Sequence, residues 1–228
     1  MASDKIPFTK MHGLGNDFVV INHVGVPRTM ITSDFARKVC DRKRGVGADQ
    51  LLWLRTPRET SSVADARMEI INADGTISEM CGNGLRAVAL FLNQHGPTPG
   101  KTQFLLETLV GLHQAEILGE ESIRVSMGVP QIGRRGAEGE MLEVAGKDLR
   151  FFEVSMGNPH AIFFAGEGAA GSNPFSHVSD VPLSVWGPEV ERNPRFPRRT
   201  NVEFVEPGAK PGSFRVAVWE RGAGITEA

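Results

Sequence analysis

The stretch LRAVALFL, residues 85–92, constrains the fold of this 228-residue chain more than any other feature. Apart from one arginine it is apolar on every side, and a helix that is apolar all round is normally a buried helix. It follows the small residues around Cys81 and ends before Gly96 and Pro97, which favour a helix terminus. We therefore predict a central helix enclosed by the rest of a domain.

Short segments rich in β-branched, leucine and aromatic residues, bounded by Gly, Pro, Asn or Asp, occur on both sides of this helix. They predict strands over residues 18–22, 50–54, 67–72, 103–108, 113–118, 123–127, 151–156, 160–164, 201–205 and 214–219. A second, amphipathic helix is predicted over residues 33–45, with Ser33 as its cap and Cys40 as a small buried hydrophobe. Many strands around a buried helix indicate a barrel-like α+β domain.

The two halves of the chain also resemble each other. Residues 67–80 align without a gap on residues 215–228, with arginine, isoleucine and glutamate at matching places. Three further pairs of polar residues occur in the same order, namely Asn16 with Asn158, Gln50 with Asn201, and Asn72 with Glu220. Such a repeat predicts two similar domains, residues 1–125 and 126–228.

Composition and charge exclude several classes of function. The net charge of −2 gives no electrostatic footprint for nucleic acid or an anionic membrane surface. No apolar run reaches the roughly 20 residues of a membrane span, and the N-terminus lacks the pattern of a signal peptide. Two cysteines are too few for a disulfide framework. We expect a cytoplasmic protein with reduced thiols that binds a small molecule.

Cys81 is the candidate functional thiol, because it precedes Gly82, Asn83 and Gly84 at the head of the predicted central helix. The first N–H groups of a helix have no intrahelical partners, and its positive dipole end favours a thiolate and can bind a carboxylate. The glycines allow a ligand to approach the backbone closely. The alternative is an ordinary core cysteine whose neighbouring glycines serve tight packing.

Several amide side chains lie at strand ends or in glycine-rich turns, where such residues often only complete the turn. Gathered around one pocket they would supply neutral donors and acceptors for a zwitterion; they are Asn16, Gln50, Asn72, Asn158 and Asn201. Glu220 and Arg221 follow the last long strand. They form either a solvated ion pair of little energetic value or a site for the ammonium and carboxylate of an amino acid.

Metal and cofactor sites have no support in the sequence. The six histidines show no HExxH spacing, no CxxC or P-loop pattern occurs, and the glycine-rich segments GLGNDF and CGNGLR do not match GxGxxG. No lysine has a context that suggests a pyridoxal Schiff base, so no cofactor is predicted. If Cys81 acts as a nucleophile instead of an acid–base group, His12 or His160 is its candidate base.

Taken together, six segments resemble the diaminopimelate epimerase family over essentially the whole chain. They are KMHGLGNDFVV, GVGADQ, INADGTISEMCGNGLRA, SMGNPHAIF, RTNVEFV and VWERGAGITEA. The resemblance implies two pseudo-symmetric, barrel-like α+β domains, each wrapped round a central helix, with the active site in the cleft between them. It also implies a cofactor-independent homodimer that interconverts LL- and meso-diaminopimelate for lysine and peptidoglycan synthesis.

The resemblance implies roles for individual residues as well. Cys81 matches one of two catalytic thiols, and His160 matches a polar position that supports the site. Positions that hold the substrate are matched by Asn16, Gln50, Asn72, Gly82, Asn83, Asn158, Asn201, Glu220 and Arg221. Two acid–base groups are expected because epimerisation removes an α-proton from one face of the carbon and returns one on the other.

The family pattern continues beyond Ala228 into a second cysteine and a second buried helix, which this sequence does not contain. The expectation is a C-terminally truncated epimerase whose second domain is incomplete and which lacks one acid–base group. Two alternatives remain open: another cofactor-independent racemase, similar to proline racemase, or a non-catalytic amino-acid-binding protein of the same ancestry.

Overall fold

The computed structural model describes residues 5–22, 26–58, 63–119, 122–168 and 171–226. The chain forms two compact units, one ending at Gly128 and the other beginning at Val129. Each unit is built on a mixed sheet with few helices, which confirms the predicted α+β class. Among the described residues, no helix combines the length and the apolar character needed to cross a membrane.

The first unit has strands β1 (Thr9–Gly13), β2 (Asn16–Asn22), β3 (Gln50–Arg55), β4 (Ala66–Asn72), β5 (Ile77–Ser78), β6 (Gln103–Thr108), β7 (Gly111–Gly119) and β8 (Ser122–Val125). They pair in the order β1-β2-β3-β4-β6-β7-β8, and β5 pairs with β4. Two neighbouring pairs are parallel, β2 with β3 and β4 with β6. Each is joined by a long segment of chain, as a parallel pair requires.

Two helices pack on opposite faces of this sheet. The central helix α2 (Gly82–His95) buries Leu85, Val88 and Leu92 against one face, as predicted, although Arg86 and Leu90 are partly exposed. Helix α1 (Ser33–Cys40) packs against the other face, where Cys40 is buried as expected.

The predicted limits of α1 are wrong at both ends. Thr32, not Ser33, caps the helix, and its Oγ1 accepts a hydrogen bond from the N–H of Phe35 at 3.1 Å. The helix ends at Cys40 instead of Gly45. The Asp41 side chain accepts bonds from the backbone N–H groups of the next turn at 2.8 and 3.0 Å, which replaces helix with a local turn.

The second unit contains β9 (Gln131–Ile132), β10 (Glu140–Val144), β11 (Lys147–Ser155), β12 (Pro159–Phe164), β13 (Gly166–Gly168), β14 (Gly171–Asn173), α3 (Leu183–Glu191), β15 (Asn201–Pro207), β16 (Phe214–Glu220) and β17 (Gly224–Ile225). Its main sheet has the order β10-β11-β12-β15-β16-β17, with β9 on β11, and β13 pairs with β14. Helix α3 was not predicted, because Gly187 and Pro188 interrupt its pattern.

The two main sheets share one strand succession and one register. In the first unit β2 runs parallel to β3 with Phe18 opposite Gln50. In the second unit β12 runs parallel to β15 with His160 opposite Asn201. Phe18 lies two residues after Asn16, which begins β2, and His160 lies two residues after Asn158, which directly precedes β12, so the aligned asparagines stand at the same distance from the matched register positions.

The next strand pair repeats the register as well. β4 returns through β5 with Ile71 opposite Ile77, and β16 returns through β17 with Trp219 opposite Ile225. These pairs are related by the same shift that aligns residues 67–80 with 215–228 in the sequence. The internal repeat is therefore present in the register of hydrogen bonds as well as in the residues.

Candidate active site

Cys81 is the N-cap residue of α2. Its backbone is extended, with φ −150° and ψ 106°, and its Sγ accepts a hydrogen bond from the N–H of Gly84 at 3.2 Å. A side-chain oxygen normally occupies this place. Neutral sulfur is a weak acceptor, so the bond strengthens when the thiol loses its proton. Together with the helix dipole, this contact favours the thiolate.

Asn16 favours the other protonation state of the same sulfur, the thiol. Its side chain is fully buried at the start of β2, and the Cys81 thiol donates to its Oδ1 over 3.8 Å. Asn83 Nδ2 donates to that oxygen at 3.4 Å. An acceptor beside the sulfur stabilises the protonated thiol, whereas the Gly84 N–H stabilises the thiolate. Both protonation states of Cys81 thus have a hydrogen-bond partner, as an acid–base group requires.

The glycines after Cys81 also serve packing, as the alternative interpretation of this segment proposed. A Cβ at Gly84 would lie 3.3 Å from Leu52 Cδ2 and 3.4 Å from the sulfur of Cys81. A Cβ at Gly82 would lie 3.1 Å from the sulfur of Met127. Neither position accepts a side chain without movement of its neighbours, and the close packing keeps the first turn of α2 next to β3.

Gln50 and Asn72 lie opposite each other where β3 begins and β4 ends. Gln50 Nε2 donates to Asn72 Oδ1 at 2.9 Å, and Asn72 Nδ2 donates to Thr76 Oγ1 at 3.0 Å. Gln50 Oε1 is buried without a hydrogen-bond partner within the described ranges. Buried acceptors are nearly always satisfied, so this oxygen is a candidate partner for a ligand donor such as an ammonium group.

A cluster of charged side chains lies behind Asn16 and was missed at the sequence level. Asn16 Nδ2 donates to Asp49 Oδ2 at 3.0 Å, and Arg42 donates to Asp49 Oδ1 at 2.7 Å and to Asp17 Oδ1 at 2.8 Å. Burial raises the pKa of Asp17, but the hydrogen bonds from Arg42 and Lys10 outweigh it and hold that pKa well below its usual range. The signal was available, because Asp17 and Asp49 directly adjoin two predicted site residues, Asn16 and Gln50.

Cys40 has none of the properties of Cys81. It is buried between α1 and the sheet, and this burial raises the pKa of its thiol to about 11. A thiol with so high a pKa is a poor nucleophile and a poor base near neutral pH. The interpretation of Cys40 as a small buried hydrophobe is confirmed.

In the second unit the predicted residues His160 and Asn158 contact each other. His160 Nε2 lies 3.0 Å from Asn158 Oδ1, and His160 Nδ1 lies 2.7 Å from Glu203 Oε1. Glu203 was not predicted, although a lone carboxylate in the strand NVEFV was a visible signal. The other candidate base, His12, is exposed on β1 of the first unit, opposite Asp17.

Asn201 and Arg221 form a second group in this unit. Asn201 Nδ2 donates to the carbonyl of Pro159 at 3.0 Å, and its Oδ1 accepts from the backbone N–H of Arg221 at 2.9 Å. The Arg221 guanidinium donates to the carbonyl of Arg198 at 3.1 Å. Arg221 is 8% exposed, so the description of Glu220 and Arg221 as a solvated surface pair is wrong for the arginine. Glu220, at the end of β16, is partly buried.

Each unit thus brings some of its predicted residues together. In the first, Cys81 and Asn83, on either side of Gly82, contact Asn16, while Gln50 contacts Asn72. In the second, Asn158 contacts His160, and Asn201 holds the backbone at Arg221. No group of three or more His, Cys, Asp or Glu side chains with metal-binding geometry occurs in the part of the chain that the structure describes.

Two solved structures share the fold: a probable proline racemase from Agrobacterium radiobacter K84, with a TM-score of 0.75 over 98% of this chain and 73% of that one, and a hydroxyproline epimerase from Agrobacterium vitis, with a TM-score of 0.72 over 100% and 74%. They are 18% and 17% identical to this chain in sequence. The fold is therefore the one found in these amino-acid racemases and epimerases.

Sequence relatives are more specific. A family model described as diaminopimelate epimerase matches residues 8–133. The diaminopimelate epimerase of Desulforudis audaxviator is 44% identical over 97% of this chain and 78% of its own length, and that of Carboxydothermus hydrogenoformans is 42% identical over 96% and 78%. The chain belongs to the diaminopimelate epimerase family, whose members are isomerases that act on amino acids.

Proposed function

We propose that this protein epimerises diaminopimelate between its LL and meso forms, and that Cys81 is one acid–base group of the reaction. One observation carries the proposal: the Cys81 sulfur lies at the N-terminus of α2 with a donor, the Gly84 N–H, on one side and an acceptor, Asn16 Oδ1, on the other. The substrate is inferred from the relatives named above, which are diaminopimelate epimerases.

The chemistry follows from this environment. The thiolate of Cys81 removes the α-proton and becomes a thiol, while the electron pair of the C–H bond passes to the α-carbon and its carboxylate. The N–H groups of the first turn of α2, including Gly82 and Asn83, bind that carboxylate and stabilise its developing charge. A proton delivered to the opposite face of the carbon completes the inversion.

A two-cysteine mechanism places another thiol on that opposite face. The sequence has one other cysteine, Cys40, which is packed under α1 and has a raised pKa. Cys40 is therefore excluded from the second role. Cys81 accounts for removal and exchange of the α-proton on one face, and complete epimerisation also needs a proton donor on the opposite face.

The remaining site residues are assigned to substrate binding as the family resemblance implies. In the first unit these are Asn16, Gln50 and Asn72. Gln50 Oε1, which has no hydrogen-bond partner in the described part of the chain, is an acceptor for an ammonium group. In the second unit they are Asn158, Asn201, Glu220 and Arg221, supported by His160. The proposal includes two epimerase-like domains, homodimeric assembly, and a place in lysine and peptidoglycan synthesis.

Exchange of the α-proton tests the assignment of Cys81. LL-diaminopimelate is incubated with the protein in D2O, and deuterium at the α-carbon is measured by mass spectrometry alongside formation of the meso isomer. Cys81→Ser should lower the exchange rate by roughly 10²–10⁴-fold, the range for loss of a general base. Cys40→Ser, the matched control, should retain parental exchange. Equal exchange by parent and Cys81→Ser would contradict the proposal.

A racemase with a cyclic substrate is the second candidate, favoured by the fold shared with the proline racemase and the hydroxyproline epimerase. The same assay with L-proline and trans-4-hydroxy-L-proline separates the two. Exchange of those substrates in preference to diaminopimelate would favour the second candidate. Binding of diaminopimelate that is unchanged in Cys81→Ser, with no exchange by the parent, would favour a non-catalytic binding protein.

A further inference from the structure

We propose that Asp49 is a positioning residue that fixes the side-chain amide of Asn16, so that its oxygen and not its nitrogen faces the Cys81 sulfur. The inference rests on the proposed function, because it concerns how the acid–base thiol is held between its two protonation states. Asp49 lies in the turn before β3 and belongs to none of the groups assigned to the substrate.

An asparagine amide can take two orientations of almost equal shape that differ in which atom is the donor. For Asn16 the choice is made by Asp49, whose Oδ2 lies 3.0 Å from Nδ2. A carboxylate only accepts hydrogen bonds, so the NH2 group has to face it. The Asn16 oxygen is then directed at Cys81 and Asn83, and the side chain is too deeply buried for water to compensate for a reversal.

Asp49 is held in place by hydrogen bonds from residues other than Asn16 and Cys81. Its Oδ1 accepts from Arg42 at 2.7 Å, and its Oδ2 also accepts from the backbone N–H of Asp17 at 3.0 Å. The backbone N–H of Asp49 donates to Asp17 Oδ1 at 2.9 Å. A cationic donor and a backbone donor fix the orientation of the Asp49 carboxylate. The direction of the Asn16 amide is thus set by a cluster that does not touch the sulfur.

The orientation has a chemical consequence at Cys81. With the Asn16 oxygen toward it, the sulfur has an acceptor that favours the thiol, opposing the Gly84 N–H and the helix dipole. With the amide reversed, a second donor would face the sulfur, and the thiolate would be favoured from both sides. A thiolate so stabilised is a weaker base, so Asp49 preserves the ability of Cys81 both to take and to return a proton.

Substitution Asp49→Asn tests this chain of contacts. The introduced amide has one oxygen for two places, one facing Arg42 and one facing both Asn16 and the Asp17 N–H. The charged Arg42 donor is the stronger partner for that oxygen, so the NH2 group faces Asn16 and favours reversal of its amide. Asp17→Asn is the matched control. The Asp17 side chain bonds to Lys10, Arg42 and the Asp49 N–H, so the control removes one charge from the same cluster and keeps the contact between Asp49 and Asn16.

The measurement is alkylation of Cys81 by iodoacetamide as a function of pH, quantified on the peptide that contains Cys81. We expect Asp49→Asn to move the labelling profile to lower pH and to raise the rate on its acidic side roughly tenfold, the effect of one hydrogen bond to a charged group. Asp17→Asn should keep the parental profile. An unchanged profile in Asp49→Asn, or an equal shift in Asp17→Asn, would overturn the proposal.

A second measurement needs no substitution and covers the case in which Asp49→Asn does not fold. In isotopically labelled protein, the scalar coupling across a hydrogen bond reports directly on the pair formed by Asn16 Nδ2 and the Asp49 carboxyl carbon. Its presence is expected, and its absence would overturn the proposal. Both readouts are independent of turnover, so a protein that passes them without exchanging the α-proton contradicts the proposed function and not the role of Asp49.

Discussion

The two units share a register but differ in what fills one face of the sheet. In the first unit Phe18 and Leu52 are fully buried against α2. At the matching register positions the second unit has His160 and Glu203, which bond to each other. The opposite face is apolar in both, packed by α1 in one and by α3 in the other. The two units thus keep one pattern of strand pairing, although one face carries packed apolar side chains in the first unit and hydrogen-bonded polar side chains in the second.

The physical reason is that backbone pairing does not depend on the side chains of a single face. Alternate residues point to opposite faces, so a substitution at every second position leaves the ladder and the other face unchanged. The face shared by both units retains its large hydrophobic residues, such as Trp53 in the first unit and Phe204 in the second. The altered face is the one that carries candidate site residues.

The largest effect is expected when the glutamate found in the second unit is introduced at the matching apolar position of the first unit, Leu52. Leu52→Glu places a carboxylate at a position with no exposed surface, inside the apolar cluster around α2. We expect the free energy of unfolding to fall by roughly 3–5 kcal/mol, the range for a buried uncompensated charge. Urea denaturation measures this loss. Leu52→Met, which keeps volume and polarity, should cost less than about 1.5 kcal/mol, and equal losses in the two variants would contradict the comparison.

The reciprocal change, from Glu203 of the second unit to the leucine found in the first, should leave stability nearly unchanged and lower the rate of α-proton exchange. Glu203→Leu removes a carboxylate whose Oε2 is buried without a hydrogen-bond partner among the described residues. The His160 side chain left behind is 23% exposed, so water can replace the lost acceptor and the free energy of unfolding should change by less than about 1 kcal/mol. His160 loses the acceptor at Nδ1, and α-proton exchange should fall roughly tenfold.

Glu203→Gln distinguishes orientation from charge in this pair. It retains an acceptor oxygen for His160 Nδ1 and should recover most of the exchange rate lost in Glu203→Leu. Deuterium incorporation and thermal unfolding are measured on the same samples. A large loss of stability in Glu203→Leu with unchanged exchange would show that the pair is structural only.

The smallest effects on stability are expected from substitutions in two tight turns, one in each unit. Leu14-Gly15 joins β1 to β2 and Ala145-Gly146 joins β10 to β11, and all four residues have positive φ, 56° and 91° in the first turn and 50° and 72° in the second. Such two-residue turns favour asparagine at their first position. Leu14→Asn and Ala145→Asn should each stabilise the protein by roughly 0.5–1 kcal/mol.

Only one of these turns adjoins the candidate site. A Cβ added at Gly13, beside Leu14, would lie 3.5 Å from the Asn83 Cβ, and Asn16 directly follows the turn. Ala145→Asn should therefore leave α-proton exchange unchanged, whereas any change in Leu14→Asn reports on that hairpin alone. Destabilisation by either substitution, measured as a lower melting temperature, would contradict the turn assignment.

The sequence predicted many of the strands and the buried helix, since period and flanking glycines are local properties. It missed α3, whose Gly187 and Pro188 break the helical pattern, and the short edge strand β1, whose residues are largely polar. It identified Cys81 and Asn16 but not Asp49 or Glu203. Those two carboxylates act on residues 33 and 43 positions away, so the local signals that marked them, a neighbouring site residue and an isolated charge in a strand, did not reveal which residue each one contacts.

By itself, the sequence determined that a cysteine and two glycines begin a buried helix and that two halves repeat one arrangement of strands. These features depend on residue type and spacing along the chain. Only the tertiary structure decided which atom of Asn16 faces the sulfur and which carboxylate fixes it. That choice depends on the parallel pairing of β2 with β3, which brings the start of one strand beside the turn that leads into the other.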